Sequence, residues 1–325
     1  MRTKKLGRTG FEVSTVGLGT ATIGLKHPNL IFQAYDGTDS RWLGYSDSLM
    51  GASCVQAAIR GGCTLVDTAP KYLTGEAESM IAIAMNGQSS GILVTTKIGV
   101  LYDQDGYDFS YDAAMRCFEG SLRRLDLDTM PLVYLHDPMG QERKQVEQGV
   151  LRAMQSLRDQ RGIQYIGIAA NDPGTNADWI ETGIFDAAVV PDCWSVLDQR
   201  AAKRIVPAAR KYGVGLVAAT VVERGLLATG PVIGRAYLGR DFSPECFAHV
   251  ARVQKFCAEW NLPLGAVALQ WPTRDDLPAN RIFASAIPGA RTPAEATQNA
   301  LWGSIEIPAE FWAEFDRLEL ARQMI

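Results

Sequence analysis

The 325-residue sequence predicts a (β/α)8 TIM barrel occupying residues 1–325 as a single domain. Eight short apolar, β-branched runs recur along it, nearly all continuous rather than alternating, as parallel strands buried on both faces require. Longer stretches with apolar residues three and four apart fall between them, the mark of helices with one buried face. No G-x-G-x-x-G opens a strand–helix unit, which weakens the main competitor, a doubly wound sheet.

Taken in order, KKLGRTGFEVS reads as an N-terminal β-hairpin around a Gly-Arg-Thr-Gly turn, placed to plug the bottom of the barrel. The strand-like runs are VGLGT (16–20), TLVDTA (64–69), ILVTTK (92–97), PLVYLH (131–136), IQYIGIA (163–169), FDAAVV (185–190), GLVAAT (215–220) and IFASAI (282–287). Helical periodicity marks 111–125, 146–160, 201–213 and 245–260, with Gly213 placed to stop the third. Three stretches, 25–50, 98–110 and 223–242, exceed what a connection requires. Each leaves the C-terminal end of a predicted strand, the face on which barrel enzymes build their sites.

Composition narrows the function. With 47% hydrophobic and 21% charged residues the chain can fill a large core, and a net charge of −4 leaves no footprint for nucleic acid. The basic N-terminus lacks the apolar run of a secretory signal, and no run of 18 or more apolar residues offers a membrane span. Cys54, Cys63, Cys117, Cys193, Cys246 and Cys257 form no C-x-x-C and read as reduced, buried thiols, so a cytoplasmic location is expected. No cluster of His, Cys and carboxylates has ligand spacing, so no metal is expected.

The stretch LVDTAPKY (65–72) carries the chemistry. Its apolar run ends on a carboxylate, Asp67, and Tyr72 follows five positions later. Lys97 and His136 end the next two predicted strands, so in a barrel all four crowd one rim. A free tyrosine titrates near pH ~10, too high to exchange protons readily at neutrality. A nearby ammonium stabilises the phenolate and lowers that value. Lys97 can supply the charge, Asp67 can hold and partly neutralise it, and His136 can donate to a substrate oxygen. Taken singly, each has a plainer reading: a turn cap, a packed ring, a structural histidine. Their joint placement at successive strand ends argues for a general acid–base site with Tyr72 as proton carrier.

In these residues the chain resembles the aldo-keto reductases. The resemblance rests on Asp67 in VDTA, Tyr72, Lys97 in TTK and His136 in YLH, and runs from KLGRTGFEVSTVGLGT to AIPGARTPAEATQN. It implies hydride exchange between C4 of a nicotinamide and a carbonyl carbon, with the proton passing through Tyr72. It implies cofactor contacts from Thr20, and from Asn171 in IGIAAND to the carboxamide. Asp192 stands where many relatives use a Gln for the same contact. Thr220, Val222 and Arg224 lie in VAATVVERGLL, the segment matching the pyrophosphate wrap, and Ala219 replaces a Tyr that stacks on the nicotinamide in many members. The adenosine end should fall on Gly289, Arg291, Glu295, Gln298 and Asn299. There Arg291 favours a 2′-phosphate and Glu295 a free 2′-OH. Gly289, where NADP-selective members often carry a lysine, tilts the choice between NAD and NADP toward NAD. A plain i,i+4 ion pair on a surface helix is the structural alternative.

Within the family, DTAPKY, WSVLDQ (194–199) and VVERGLLATG (221–230) are similar to D-threo-aldose and pyridoxal 4-dehydrogenases. That branch oxidises a cyclic hemiacetal to a lactone, so a sugar or sugar-like substrate is expected. KYLTGEAE (71–78) departs from the usual YGxGxSE, so the pocket is expected to be remodelled. Trp42 and Trp194 are candidates to stack on a sugar's apolar face, and Tyr45, Asp47 and Tyr102 to bond hydroxyls; anchoring of the loops is the alternative. Two other functions fit the same residues: an NADPH-dependent aldehyde or ketone reductase, and a non-catalytic redox-sensing subunit that keeps its cofactor.

Overall fold

The structure, a computed structural model, describes residues 1–25, 46–87, 91–99, 107–232, 237 and 240–325. It begins with the expected hairpin, β1 (Thr3–Lys5) antiparallel to β2 (Glu12–Ser14). Eight parallel strands follow: β3 (Leu18–Gly19), β4 (Leu65–Asp67), β5 (Leu93–Ile98), β6 (Met130–His136), β7 (Ile163–Ala169), β8 (Ala187–Val190), β9 (Gly215–Ala219) and β10 (Phe283–Ile287). Each lies within a run marked in the sequence or within one residue of it. Gly17 N–H donates to the Ala286 carbonyl at 2.9 Å and Gly19 N–H to the Pro288 carbonyl at 3.0 Å, which brings the first strand against the last and closes the barrel.

Side chains of a strand alternate between faces. One set, including Leu65, Leu93, Leu132, Tyr134, Val189 and Val217, fills the barrel interior together with Leu6 and Val13 of the hairpin. The other set, including Val66, Val94, Val133, Ile166 and Leu216, packs under the helices. Both faces are therefore buried, which is why the strands read as unbroken apolar runs. The hairpin turn docks on the strand-start end. Arg8 N–H donates to the Gly213 carbonyl at 2.9 Å, and the Arg8 guanidinium pairs with Asp186 at 2.8 Å. Gly7, at φ 49°, lets the turn lie against β9: a Cβ there would sit 2.2 Å from Gly215 N.

Helices Tyr111–Leu125 and Pro244–Glu259 are capped by Ser110 and Ser243, and Gly213 ends Ile205–Tyr212 at φ 69° as expected. The helix expected over 146–160 departs from prediction. A π-turn, Glu147–Leu151, separates Arg143–Val146 from Arg152–Asp159. Val150 N–H leaves the helical ladder and donates to the Phe109 carbonyl at 2.7 Å. A Cβ on Gly149 would lie 1.9 Å from that oxygen, so the glycine admits the inserted carbonyl. Among the described residues no helix is long and apolar enough to cross a membrane.

Candidate active site

Strands β4, β5 and β6 deliver three charged or polar side chains to one rim. Asp67 is the last residue of β4, Lys97 the fifth of the six in β5, and His136 the last of β6. The Lys97 ammonium donates to Asp67 Oδ2 at 2.6 Å and to the Thr68 carbonyl at 2.8 Å, and the Thr95 hydroxyl donates to Asp67 Oδ1 at 3.0 Å. Both charged side chains are nearly sealed from water, 2% and 5% exposed. A pair so buried survives only when further hydrogen bonds satisfy its remaining valences, and these contacts do so.

Tyr72 opens the short turn Tyr72–Gly75 that follows β4. Its ring centroid lies 4.7 Å from the Lys97 ammonium, which is also hydrogen-bonded to the phenol. The His136 ring meets Tyr72 edge-on, centroids 6.2 Å apart and planes at 88°. Leu73 and Thr74, at φ 51° and 52°, hold a left-handed backbone that non-glycine residues adopt at a cost of order 1–3 kcal/mol each. The surrounding packing maintains this turn, which aims the phenol at the ammonium.

Burial alone would lower the Lys97 pKa. The Asp67 carboxylate and the Tyr72 oxygen more than compensate, and the ammonium titrates above its ordinary value. His136 goes the other way. Burial first, then the charges of Lys97 and Lys71, push it well below the usual 6.5, so the imidazole is neutral at physiological pH. Its Nδ1 is buried and has no hydrogen-bond partner among the described residues. A base whose pKa falls on folding contributes stability that is complete above the unfolded value and is lost as pH drops below it. The melting temperature should therefore fall as pH is lowered through 6.5, with buried His249 adding to the slope in the same direction. Thermal scans across pH should show a shallower dependence in His136→Gln; an unchanged slope would contradict this electrostatic account.

The other five strand ends carry the residues expected to meet a cofactor. Thr20 is fully buried, and its hydroxyl donates to the Asp67 carbonyl at 3.0 Å, so it braces the rim. Asn171 is exposed after β7 and is held by Asp137. After β9, Thr220, Glu223 and Arg224 all have positive φ, 60°, 46° and 54°, while Val222 rests at the edge of the apolar core. Arg224 donates to Asp192 Oδ2 at 2.9 Å, and Arg240 lies 3.3 Å from Asp192 Oδ1 and 2.7 Å from Glu223. Asp192 is thus an anchor for this loop through Oδ2, while its buried Oδ1, ion-paired with Arg240, makes no hydrogen bond among the described residues. Sequence reasoning missed Glu223. It is 1% exposed, accepts from the Ser195 hydroxyl, and is held up to about 7, chiefly by burial. The only trace in the sequence is a charged pair interrupting the apolar VVERGLL.

At β10, Gly289 is exposed and its carbonyl accepts from Asn299 Nδ2 at 3.1 Å, while Gln298 is exposed on the following helix. Arg291 and Glu295 form the i,i+4 ion pair, Nη2 to Oε1 at 2.6 Å, and Glu295 also accepts the Arg291 backbone N–H at 2.8 Å. Thr292 caps the same helix, Pro293–Ser304.

One expected substrate contact is corrected. Trp194 is 3% exposed, stacked on Phe283 at 4.9 Å and tilted against Trp271 at 5.3 Å. It belongs to the apolar layer under the helices, where an indole gains more from burial than it would on an open rim. Asp47 caps helix Ser48–Arg60 by accepting from Met50 N–H. Trp42, Tyr45 and Tyr102 lie outside the described residues. Among the described residues no group of three or more His, Cys, Asp or Glu side chains could hold a metal.

Fold and rim together define a class: a (β/α)8 protein whose strand ends set a buried ion pair against a phenol and a neutral imidazole. The chain belongs to the aldo/keto reductase family, whose sequence model matches residues 16–320. It is 28% identical to a pyridoxal 4-dehydrogenase of Microbacterium luteolum over 346 residues, 95% of each chain. It is likewise 28% identical to a D-threo-aldose 1-dehydrogenase of a Pseudomonas species, over 96% of this chain and 95% of that one. Its fold matches an aldo-keto reductase of Bacillus halodurans in the holo form, with TM-score 0.78 and 21% identity over 99% of this chain and 97% of that one. A glycerol dehydrogenase of Gluconobacter oxydans superposes with TM-score 0.72 and 21% identity over 98% and 94%. The protein is an NAD(P)-dependent oxidoreductase of CH–OH and carbonyl groups.

Proposed function

We propose that the protein oxidises a sugar or sugar-like cyclic hemiacetal at its anomeric carbon, with Tyr72 carrying the proton. The observation that carries the reading is the Lys97 ammonium, packed between the Asp67 carboxylate and the Tyr72 phenol. When bound, a nicotinamide dinucleotide would supply the hydride acceptor, chemistry that no side chain here can supply. The chain's own residues do the rest. Lys97 favours the phenolate, so Tyr72 can take the hydroxyl proton; Asp67 keeps the ammonium charged and fixed. His136, neutral and adjacent, orients the substrate oxygen as a hydrogen-bond partner without a competing charge. The residues fit such a cofactor: Thr220, Glu223 and Arg224 give the chain after β9 a run of left-handed turns at the rim, and Asn171, exposed after β7, offers an amide to the carboxamide.

Two relatives, named for pyridoxal and D-threo-aldose oxidation, support the hemiacetal class. The test is a panel of aldoses and pyridoxal-like hemiacetals with NAD and with NADP, and NMR identification of the product. A lactone is expected. Rapid reduction of simple aldehydes with NADPH and no lactone would replace this reading with the reductase. Cofactor binding without turnover on the whole panel would replace it with the sensor.

For the cofactor we propose NAD. The Glu295 carboxylate neutralises Arg291 through its side chain and its backbone N–H, which leaves less positive charge for a 2′-phosphate. Glu295→Gln should shift the ratio of kcat/KM for NADP over NAD upward by about fivefold, the upper range for a partly exposed ion pair. No movement of the ratio would show that this pair does not meet the ribose.

A further inference from the structure

We infer that Asp137 is a positioning residue that sets which end of the Asn171 amide faces the cofactor, making the site selective for a carboxamide N–H2 group. The inference rests on the reading that Asn171 meets the carboxamide. It adds a residue, and a direction of hydrogen bonding, that the reading does not contain.

Asp137 directly follows His136. It leaves β6 with φ 43°, a left-handed conformation, while its N–H donates to the Ala169 carbonyl at 2.8 Å. That twist carries the side chain sideways to the end of β7, where it is 7% exposed. There its carboxylate takes two hydrogen bonds from one residue: Asn171 backbone N–H to Oδ1 at 3.1 Å, and Asn171 Nδ2 to Oδ2 at 2.9 Å. An ionised carboxylate has no proton to give, so only the NH2 end of the asparagine amide can face it. The carbonyl end, Asn171 Oδ1, is left to face the other way. Asn171 itself is exposed, so that oxygen is available to a ligand on the rim. An oxygen can only accept. The group it selects must bring an N–H, as a nicotinamide carboxamide does and as an acetyl or carboxylate substituent does not.

The neighbouring strand strengthens the assignment. Asp192, the position expected to make the second carboxamide contact, is engaged by Arg224 and Arg240. Asp192 Oδ1 makes no hydrogen bond among the described residues and, as a carboxylate oxygen, accepts only, so the polarity at Asn171 is the part that Asp137 sets. If Asp137 merely riveted the ends of β6 and β7 together, its loss would lower stability and leave the choice of nicotinamide substituent untouched.

The test measures binding, not turnover. Calorimetry gives Kd for the oxidised dinucleotide and for its 3-acetylpyridine analogue, which keeps the carbonyl but has no N–H. The wild-type protein should bind the analogue at least about tenfold more weakly, the cost of leaving one acceptor unpaired. In Asp137→Asn the new amide must offer its oxygen to the Asn171 backbone N–H. Its NH2 then faces the Asn171 side chain, which turns over and presents NH2 to the ligand. The affinity ratio should fall to about one or invert, with an unchanged circular dichroism spectrum. Asp137→Ala, in which the amide is free to rotate, should also lose the preference and covers the case in which Asp137→Asn does not fold. Asn171→Ala separates the two levels of the argument. If that variant keeps the wild-type ratio, Asn171 does not meet the carboxamide and the underlying reading fails. If it abolishes the ratio while both Asp137 variants retain it, Asp137 does not set the amide and this inference fails alone. Equal affinity for the two dinucleotides in the wild-type protein overturns the selectivity outright.

Discussion

Tyr72→Phe will bind the dinucleotide as the parent does and turn over at least about a hundredfold more slowly, the lower range for loss of a general acid–base group. The ring itself packs at the margin of the apolar core and meets His136 edge-on, and a phenylalanine keeps both contacts. The Lys97 ammonium keeps its bonds to Asp67 and to the Thr68 carbonyl, so the buried charges remain paired. What is lost is one oxygen, the only group of Tyr72 able to carry a proton. Single-turnover hydride transfer, followed through NADH absorbance, isolates the chemical step, and tryptophan quenching reports the cofactor Kd. Near-parental turnover would remove Tyr72 from its role.

Lys97→Met should have the largest combined effect. Turnover should fall further than in Tyr72→Phe, because the phenol loses the cation that favours its ionised form. Stability should fall too, by about 3–5 kcal/mol, because Asp67 is left as an unpaired charge in a nearly sealed site. The pH dependence gives a signature. A buried carboxylate without its cation has a raised pKa, so the variant should regain stability as pH is lowered and Asp67 takes up a proton. Adding Asp67→Asn in the same chain should restore much of the stability at neutral pH and none of the activity. Urea titrations of both single variants and the double variant measure this coupling. Independent, additive effects would show that the 2.6 Å contact contributes no coupling, and the electrostatic account of Tyr72 would lose its basis.

Legibility was uneven, and the pattern has a physical cause. The β-strands were readable because burial on both faces demands an unbroken apolar run, a property of a few consecutive residues. Asp67, Lys97 and His136 were readable for the same reason, as polar side chains interrupting or ending such runs. The π-turn was hidden, because it depends on the Phe109 carbonyl approaching Gly149 from another segment. Trp194 was misread as a rim residue, since its sequence neighbours say nothing of Phe283, 89 positions on, against which it stacks. Glu223 went unnoticed because its partners, Ser195 and Arg240, come from other parts of the chain.

By itself, then, the order of residues determined a barrel with an ion pair and a phenol at one end of its strands, since periodicity and strand termini are local. Tertiary structure alone decided which amide end Asn171 presents, where the Asp192 charge is spent, and which tryptophan is buried. Those outcomes depend on what lies across a gap of about 3 Å, the reach of a hydrogen bond, between residues far apart along the chain.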